Sequence, residues 1–340
     1  MNVQMTILTV AVLLLPSTTQ AQVATPADTV YAPGEYRVYT GSGARATIDD
    51  IVRAMASQQV VFIGETHDDP TGHMLELELL RRATAAYGDA AAAKRPVALS
   101  LEFFERDAQL PLDEYLAGLI PESTFRTDAR PWPRYQSDYR PLVEFSREHG
   151  LHVIAANAPR RYVSMVARNG REALSGVGEE ALQFLPPLPF PPASAAYRDQ
   201  WISTISAVME LEGMKCGVPV EHAAAPAGSH QNMGNQLDSQ VLWDAAMAHS
   251  ISRYLASEPS ALVLHMVGGF HVERGTGTPE QLAHYMPGAR SMVVMLRPVD
   301  DVATFEPAPQ GEWGDFVIQT DRARTLEAIE CRQFHAERAK

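Results

Sequence analysis

The sequence predicts an α/β fold: a mainly parallel sheet flanked by helices, with helical cap insertions. Short, almost uninterrupted apolar runs recur along the chain, beginning at residues 60–63. Segments in which apolar residues have helical spacing separate these runs. Strands that are apolar along their whole length are typical of parallel sheets covered on both faces, because both sides of each strand are then buried.

Five apolar runs are the predicted strands of this sheet. Each has four to seven residues, and a glycine or a polar residue follows each of them. Such lengths favour strands, since buried helices usually need ten or more residues. The runs lie at residues 60–63, 97–101, 152–156, 261–267 and 291–296.

Helices are predicted between these strands, where apolar side chains recur every three or four residues. The first precedes the first strand, and Gly150 marks the end of another, since glycine often terminates a helix. The predicted helices lie at residues 48–57, 72–87, 142–149, 193–212 and 235–257.

The domain organisation follows from the places where this alternation stops. Residues 48–340 are predicted to form a single α/β domain. Two stretches, at about 104–140 and 162–259, do not fit the alternation of strands and helices, and we expect them to be cap insertions. Residues 22–47 are polar and punctuated by Gly and Pro, which is typical of a flexible lead-in.

Residues 1–21 have the features of a cleaved signal peptide. They carry no charged side chain, and an apolar run at 6–15 ends at Pro16. Thr19 and Ala21 place small residues where a signal peptidase cleaves. The run is too short to span a bilayer. We therefore expect an exported protein, periplasmic or secreted, with membrane association and an uncleaved anchor as open alternatives.

Composition and charge exclude several classes of protein. Hydrophobic residues make up 46% and charged residues 20%, so the chain is not disordered or fibrous. The net charge of −13 repels phosphate backbones, which argues against nucleic acid as a partner. No later apolar run is long enough for a transmembrane span, and a homodimer remains open. An oxidising compartment would permit a bridge between Cys216 and Cys331, but the sequence does not show whether the two lie close together.

Polar side chains follow the predicted strands at their carboxyl ends. Glu65 and His67 follow the first strand, Glu102 follows the second, and His271 follows the fourth. The carboxyl ends of parallel strands share one edge, where open α/β folds bind ligands. We therefore expect Glu65, His67, Glu102 and His271 to converge in one crevice.

This quartet has one chemical interpretation that depends on the residues alone. The four side chains offer nitrogen and oxygen ligands for a divalent metal ion, whose bound water would be a nucleophile. Without a metal, His67 would act as a general base oriented by a carboxylate. The pattern thus allows a metal-dependent hydrolase, with catalytic and metal-binding roles for the same four residues. Nothing in the sequence selects a substrate.

Several short motifs also resemble a known family. Two Gly-x-x-His motifs with an intervening Glu are similar to the Tiki and erythromycin-esterase-like superfamily, and the closer match is its ChaN-like branch of haem-binding uptake proteins. The resemblance implies an α/β core with helical insertions, export, and haem binding linked to iron uptake. The sequence departs from the family's lipoproteins because it has no lipid-attachment Cys. The motifs lie at residues 62–67, 100–106, 139–145, 153–161, 240–248 and 268–271.

Haem would need an apolar slot, an axial ligand and cations for its propionates. Arg160 and Arg161 are candidate propionate partners, and Asn157 and Tyr162 complete a candidate ligand-binding set after the third strand. The sequence leaves the axial ligand unknown. The second insertion carries several residues of the required types, namely Met209, Met214, Cys216, His222, His230 and Met233.

These observations predict an exported haem-binding protein of iron or haem uptake, with haem as its cofactor. The alternative is a metal-dependent hydrolase that uses the quartet, so the sequence leaves open whether the chain is an enzyme. If haem is the ligand, we expect it between the carboxyl edge of the sheet and the inserted helices.

Overall fold

A computed structural model describes residues 36–92, 94–211, 214–216, 218–219 and 233–338. Its strands are β1 (Tyr36–Thr40), β2 (Arg45–Ala46), β3 (Val60–Glu65), β4 (Val97–Glu105), β5 (His152–Asn157), β6 (Met214–Lys215), β7 (Val218–Pro219), β8 (Leu262–Gly268), β9 (Ser291–Val299) and β10 (Phe316–Asp321). Its helices are α1 (Ile48–Ala54), α2 (Pro70–Tyr87), α3 (Gln109–Leu116), α4 (Glu122–Ala129), α5 (Tyr135–Asp138), α6 (Arg140–His149), α7 (Arg160–Asn169), α8 (Glu179–Leu182), α9 (Ala195–Leu211), α10 (Met233–Ser257), α11 (Thr278–Tyr285) and α12 (Leu326–Arg338).

Eight strands form one sheet in the order β2-β1-β10-β9-β3-β8-β4-β5. The six strands from β10 to β5 are parallel, and β1 and β2 continue the sheet as an antiparallel edge. Strands β6 and β7 form a separate antiparallel pair. The predicted mainly parallel α/β fold is confirmed, and all five predicted strands are present.

Helices cover both faces of the sheet. On one face, Met247 and Ile251 of α10 pack in a buried cluster with Val60 and Phe62 of β3. Successive side chains of a strand point to opposite faces, so the odd-numbered residues of β3 point away from α10. Helix α2 lies on that second face, in contact with β3, β4 and β10. The carboxyl end of β3 therefore lies between α2 and α10.

The structure differs from the predicted organisation in three places. Residues 36–46, expected in the flexible lead-in, form the edge strands β1 and β2. Strand β10 was missed because only Phe316, Val317 and Ile318 are apolar in it, too short a run to stand out. The insertion expected at 162–259 includes α10, which packs on the sheet and is therefore one of its covering helices.

Cys216 and Cys331 form a disulfide, a pairing that the sequence left open. The bond joins the segment between β6 and β7 to helix α12, across 115 residues of chain. Closing so long a loop restricts the unfolded chain, which stabilises the folded state by about 2–4 kcal/mol in typical cases.

Reduction of this disulfide should therefore destabilise the protein. We expect dithiothreitol to lower the melting temperature by roughly 5–10 °C, given the usual relation between free energy and melting temperature for chains of this size. The variant Cys331→Ser should melt at the temperature of the reduced protein and should not respond to dithiothreitol. Equal melting temperatures for oxidised and reduced protein would show that the bond contributes nothing.

A helix that crosses a bilayer must be both long and strongly apolar. In the part of the chain that the structure describes, no helix meets both requirements for crossing a membrane.

Candidate functional site

Glu65 is the last residue of β3 and is the centre of a hydrogen-bonded group at the carboxyl edge of the sheet. Its Oε1 atom lies 2.6 Å from Nδ1 of His67 and accepts a hydrogen bond of 2.9 Å from the hydroxyl of Tyr139. The Glu65 side chain is fully buried, whereas 46% of the His67 side chain is exposed. Glu65 therefore holds an imidazole that reaches the surface.

Helix α2 places two more titratable side chains, those of His73 and Glu76, beside Glu65. Asp69 caps the helix by accepting from the backbone N–H of Thr71, which fixes the first turn. His73 and Glu76 then lie three residues apart, on the buried face of the helix. Nδ1 of His73 lies 3.3 Å from Oε2 of Glu65 and 3.2 Å from Oε2 of Glu76.

The three groups strongly perturb one another's protonation. Burial alone would raise the pKa of Glu65, but hydrogen bonds from His67 and His73 outweigh it and hold that pKa below its usual range. Burial also opposes the charge on His73, yet hydrogen bonds to Glu65 and Glu76 raise its pKa to about 11. Burial and the neighbouring charge of Glu65 raise the pKa of Glu76 well above its usual range. In the absence of another cation, this arrangement favours a proton on His73.

A second group lies on the α10 side of the sheet. Oε2 of Glu102 accepts a 2.7 Å hydrogen bond from the backbone N–H of Gly268, and Oε1 lies 3.8 Å from Nε2 of His271. The other ring nitrogen of His271, Nδ1, lies 2.9 Å from Oδ1 of Asp244 on α10. Asp244 also accepts from the hydroxyls of Tyr197 and Thr278. Burial opposes the charge on His271, but Asp244 outweighs it and raises the pKa to about 9.

His67 links these two groups across the end of the sheet. A Cβ atom built on Gly268 would lie 2.9 Å from Cε1 and 3.1 Å from Nε2 of His67, so the imidazole rests directly on this glycine. The same Cβ would lie 3.5 Å from Oε2 of Glu102. Burial opposes protonation of His67, but the Glu65 carboxylate outweighs it and raises its pKa.

Aromatic and cationic side chains surround the exposed part of His67. The rings of His67 and Trp132 meet edge to face with centroids 5.3 Å apart, and Phe103 stacks on Tyr139 beneath them. The guanidinium of Arg160 lies 5.7 Å from the centroid of the Trp132 ring. Trp132 also lines a concave surface pocket with a volume of about 630 Å³. The other residues that line this pocket lie between 123 and 136, and they include Arg126, Arg130 and Arg134.

A comparison with protein families gives this site a context. A family model described as haem-binding uptake, Tiki superfamily, ChaN, matches residues 51–282, more than half of the chain. The chain belongs to this family. The resemblance seen in the sequence motifs is thereby confirmed.

Individual relatives of this ChaN-family chain are distant. Protein RETICULATA-RELATED 5, chloroplastic, of Arabidopsis thaliana is 26% identical over 252 residues, which are 72% of this chain. The match covers 32% of that protein, so the chain spans about a third of the length of this curated relative.

Two solved structures are similar to this chain to different degrees. A Campylobacter jejuni structure described as cofacial haem binding to ChaN has a TM-score of 0.59 and 13% identity, over 83% of this chain and 96% of that one. The erythromycin esterase EreC has a TM-score of 0.41 and 12% identity, over 84% of this chain and 83% of its own. At these identities the likeness to ChaN shows the fold alone.

The structure brings the four residues of the predicted quartet to one edge of the sheet, but as two groups. Glu65 lies with α2, and Glu102 and His271 lie toward α10, with His67 between them. Among the described residues, the set of ligand atoms that all lie within 4.8 Å of one another belongs to Glu65, His73 and Glu76. The four quartet residues are not such a set, since Glu65 turns toward α2 and Glu102 toward His271, and their role as metal ligands stays a prediction.

The residues predicted to bind a ligand after the third strand have different surroundings. Asn157 is buried, and its Oδ1 accepts from the backbone N–H of Ala158, so it stabilises its own turn. Arg160 is exposed beside Trp132. Arg161 pairs with Asp107 and lies over the ring of the half-buried Tyr162. Arg160 thus reaches the surroundings of His67 through Trp132.

One of the residues considered as an axial ligand of haem in the second insertion is excluded by the structure. Cys216 is in the disulfide, so its sulfur is not available to iron. His222 and His230 lie outside the described residues.

Sequence reasoning did not assign roles to several residues of the site. The missed residues are His73, Glu76, Tyr139, Asp244 and Tyr197. A signal was present for Glu76, because it lies on the apolar face of α2 between Leu75 and Leu79. A carboxylate at such a position is rare unless it has a partner.

Proposed function

We propose that this chain is an exported haem-binding protein that takes part in haem or iron uptake, and that His67 is an iron ligand. Membership of the haem-binding uptake family supports the ligand. The observation that carries the proposal is the half-exposed imidazole of His67, whose Nδ1 is held by a buried carboxylate. This arrangement leaves Nε2, which lies beside Gly268, as the nitrogen that would bind the iron.

The carboxylate partner prepares His67 for this role. When Nδ1 donates to Glu65, the neutral imidazole carries its lone pair on Nε2. Metal-binding histidines are commonly oriented by such a hydrogen bond, which fixes the tautomer and raises the basicity of the free nitrogen. Haem would supply an iron atom that accepts this lone pair.

The surroundings of His67 fit the rest of the macrocycle. Trp132 offers an aromatic face beside the imidazole, as an apolar ring system requires. Haem propionates need cations, and Arg160 lies at Trp132. Arg130 and Arg134 line the adjacent concave surface. These guanidinium groups would bind carboxylates in a chain whose overall charge is strongly negative.

The test is a hemin titration of the mature protein, followed by the Soret band. We expect saturable binding by the wild-type protein, and an affinity at least about tenfold lower for His67→Ala, because a lost iron–nitrogen bond is worth more than about 1.4 kcal/mol. The control is His149→Ala, which removes an exposed histidine at the end of α6. This residue precedes β5, so it lies at the amino ends of the parallel strands, whereas His67 lies at their carboxyl ends.

The outcomes separate the two parts of the proposal. Non-saturable hemin binding by the wild-type protein would contradict the haem function. Equal affinity and an equal Soret spectrum for wild type and His67→Ala would retain haem but exclude His67 as the ligand.

We also propose that residues 1–21 direct export. The disulfide between Cys216 and Cys331 supports an oxidising compartment, since cytosolic proteins seldom keep such bonds.

A further inference from the structure

The ring nitrogens of His73 are in unequal surroundings. Nε2 lies 3.1 Å from the backbone oxygen of His67 and 3.6 Å from Oδ2 of Asp138. Both atoms are acceptors, so Nε2 carries a hydrogen and donates it. A neutral His73 then has its lone pair on Nδ1.

That lone pair faces two carboxylate oxygens. Oε2 of Glu65 and Oε2 of Glu76 lie 3.3 Å and 3.2 Å from Nδ1. Three acceptors at these distances repel one another in a buried site, unless a cation lies among them. The site therefore holds either protons, on Nδ1 or on a carboxyl group, or a metal ion that all three atoms share.

Two buried carboxylate oxygens favour the metal ion. Oε1 of Glu65 is occupied by His67 and Tyr139, but Oε2, which lies 3.3 Å from Nδ1 of His73, receives no hydrogen bond of good geometry. Oε1 of Glu76 has none either, and both residues are almost completely buried. A proton on Nδ1 is donated to Oε2 of Glu76 and leaves the two oxygens named above unsatisfied, which is costly in a buried site. A divalent ion would satisfy Oε2 of Glu65 and neutralise the two carboxylates.

The spacing of the three ligand atoms fits a small ion. In tetrahedral coordination with bonds of about 2.1 Å, ligand atoms lie about 3.4 Å apart. The two measured distances from Nδ1 are close to this value. We propose that Glu65, His73 and Glu76 bind a divalent transition-metal ion of the zinc or manganese class. Mixed imidazole and carboxylate ligands favour these ions over calcium and magnesium.

The metal site would be structural and distinct from the proposed haem site. It is buried, and it would join the carboxyl end of β3 to the second turn of α2. A bound ion would fix Oε2 of Glu65 toward α2, while Oε1 remains hydrogen-bonded to His67. Asp138 and the His67 backbone oxygen would orient His73 through Nε2, as outer partners of metal-binding histidines commonly do.

The proposal is tested by metal analysis of haem-free mature protein produced without a polyhistidine tag. The protein is stripped with a chelator, loaded with Zn²⁺ or Mn²⁺, desalted and analysed by mass spectrometry of the elements. We expect about one ion per wild-type chain and less than about a tenth of an ion for Glu76→Gln, because the substitution removes a charged ligand. The control is Glu78→Gln on the same helix, whose carboxylate pairs with Arg82 at the surface.

A further variant separates this site from the haem proposal. His67→Ala retains all three ligands, so it should bind the ion as wild type does even if it has lost hemin. Crystals of loaded wild-type protein give a second measurement, which does not depend on the folding of any variant. An anomalous peak among Glu65, His73 and Glu76 would support the site. Stripped wild-type protein that takes up no ion, or a peak elsewhere with none at this position, would assign the cation to a proton and overturn the proposal.

Discussion

Replacing Asp244 with asparagine should destabilise the protein by roughly 3 kcal/mol at pH 6. The figure follows from the pKa of His271, which burial lowers but Asp244, with a smaller contribution from Glu102, raises to about 9, since each pKa unit corresponds to about 1.4 kcal/mol. Asp244 also accepts hydrogen bonds from Tyr197 of α9 and Thr278 of α11. The substitution therefore weakens the junction at which these helices meet α10.

The same pair makes the effect depend on pH in a defined direction. Below pH 6.5, His271 is protonated in both the folded and the unfolded chain, so the attraction to Asp244 contributes fully. Between pH 6.5 and about 9, only the folded chain keeps the proton, and the contribution falls as the pH rises. Above about pH 9 it is lost.

Urea unfolding at pH 6 and at pH 10 tests this prediction. The difference in unfolding free energy between wild type and Asp244→Asn should shrink by roughly 3 kcal/mol from pH 6 to pH 10, to the part that the hydrogen bonds from Tyr197 and Thr278 contribute. The matched control is Asp238→Asn on the same helix, which pairs with Arg171 in a partly exposed position and should cost less than about 1 kcal/mol. A difference that stays constant over this range would show that His271 is not charged in the folded protein.

The strand ends show how much of the site could be predicted from the sequence. Glu65, His67 and His271 follow buried apolar runs, and the carboxyl ends of parallel strands must share an edge. Their arrival at one edge thus follows from the strand pattern alone. The sequence did not reveal toward which face of the sheet each side chain points. Side chains alternate between the two faces only as far as the strand extends, and the sequence does not fix the last residue of a strand.

The partners of these residues were harder to predict, for a physical reason. His73, Glu76 and Asp244 lie on helices, and helical periodicity predicts a buried face without predicting which side chain of another element it meets. Asp244 lies among the buried residues of α10. Its role depends on Tyr197 and Thr278, each more than 30 residues away in the chain. Such long-range pairs are fixed by tertiary packing.

Adding one methyl group at the end of β8, by the substitution Gly268→Ala, should impair ligand binding at the site without unfolding the protein. A Cβ atom on Gly268 would lie 2.9 Å from Cε1 of His67, which is closer than real Cβ contacts. The backbone angles of Gly268, with φ −55° and ψ 134°, suit alanine, so the backbone itself is not strained. We therefore expect Gly268→Ala to fold, and to turn the imidazole of His67 away from Glu65.

Two measurements check this expectation. Hemin affinity should fall at least about tenfold, as in His67→Ala, because Glu65 no longer orients the imidazole whose Nε2 would bind the iron. The pKa of His67, followed by NMR titration without haem, should fall toward its ordinary value as the hydrogen bond to Glu65 is lost. Gly176→Ala is the control, since nothing lies within 4 Å of a Cβ atom there. If Gly268→Ala keeps both the raised pKa and the hemin affinity, then the contact between His67 and Gly268 does not position the imidazole. If the pKa falls while hemin affinity is unchanged, His67 is positioned as described but does not bind the iron.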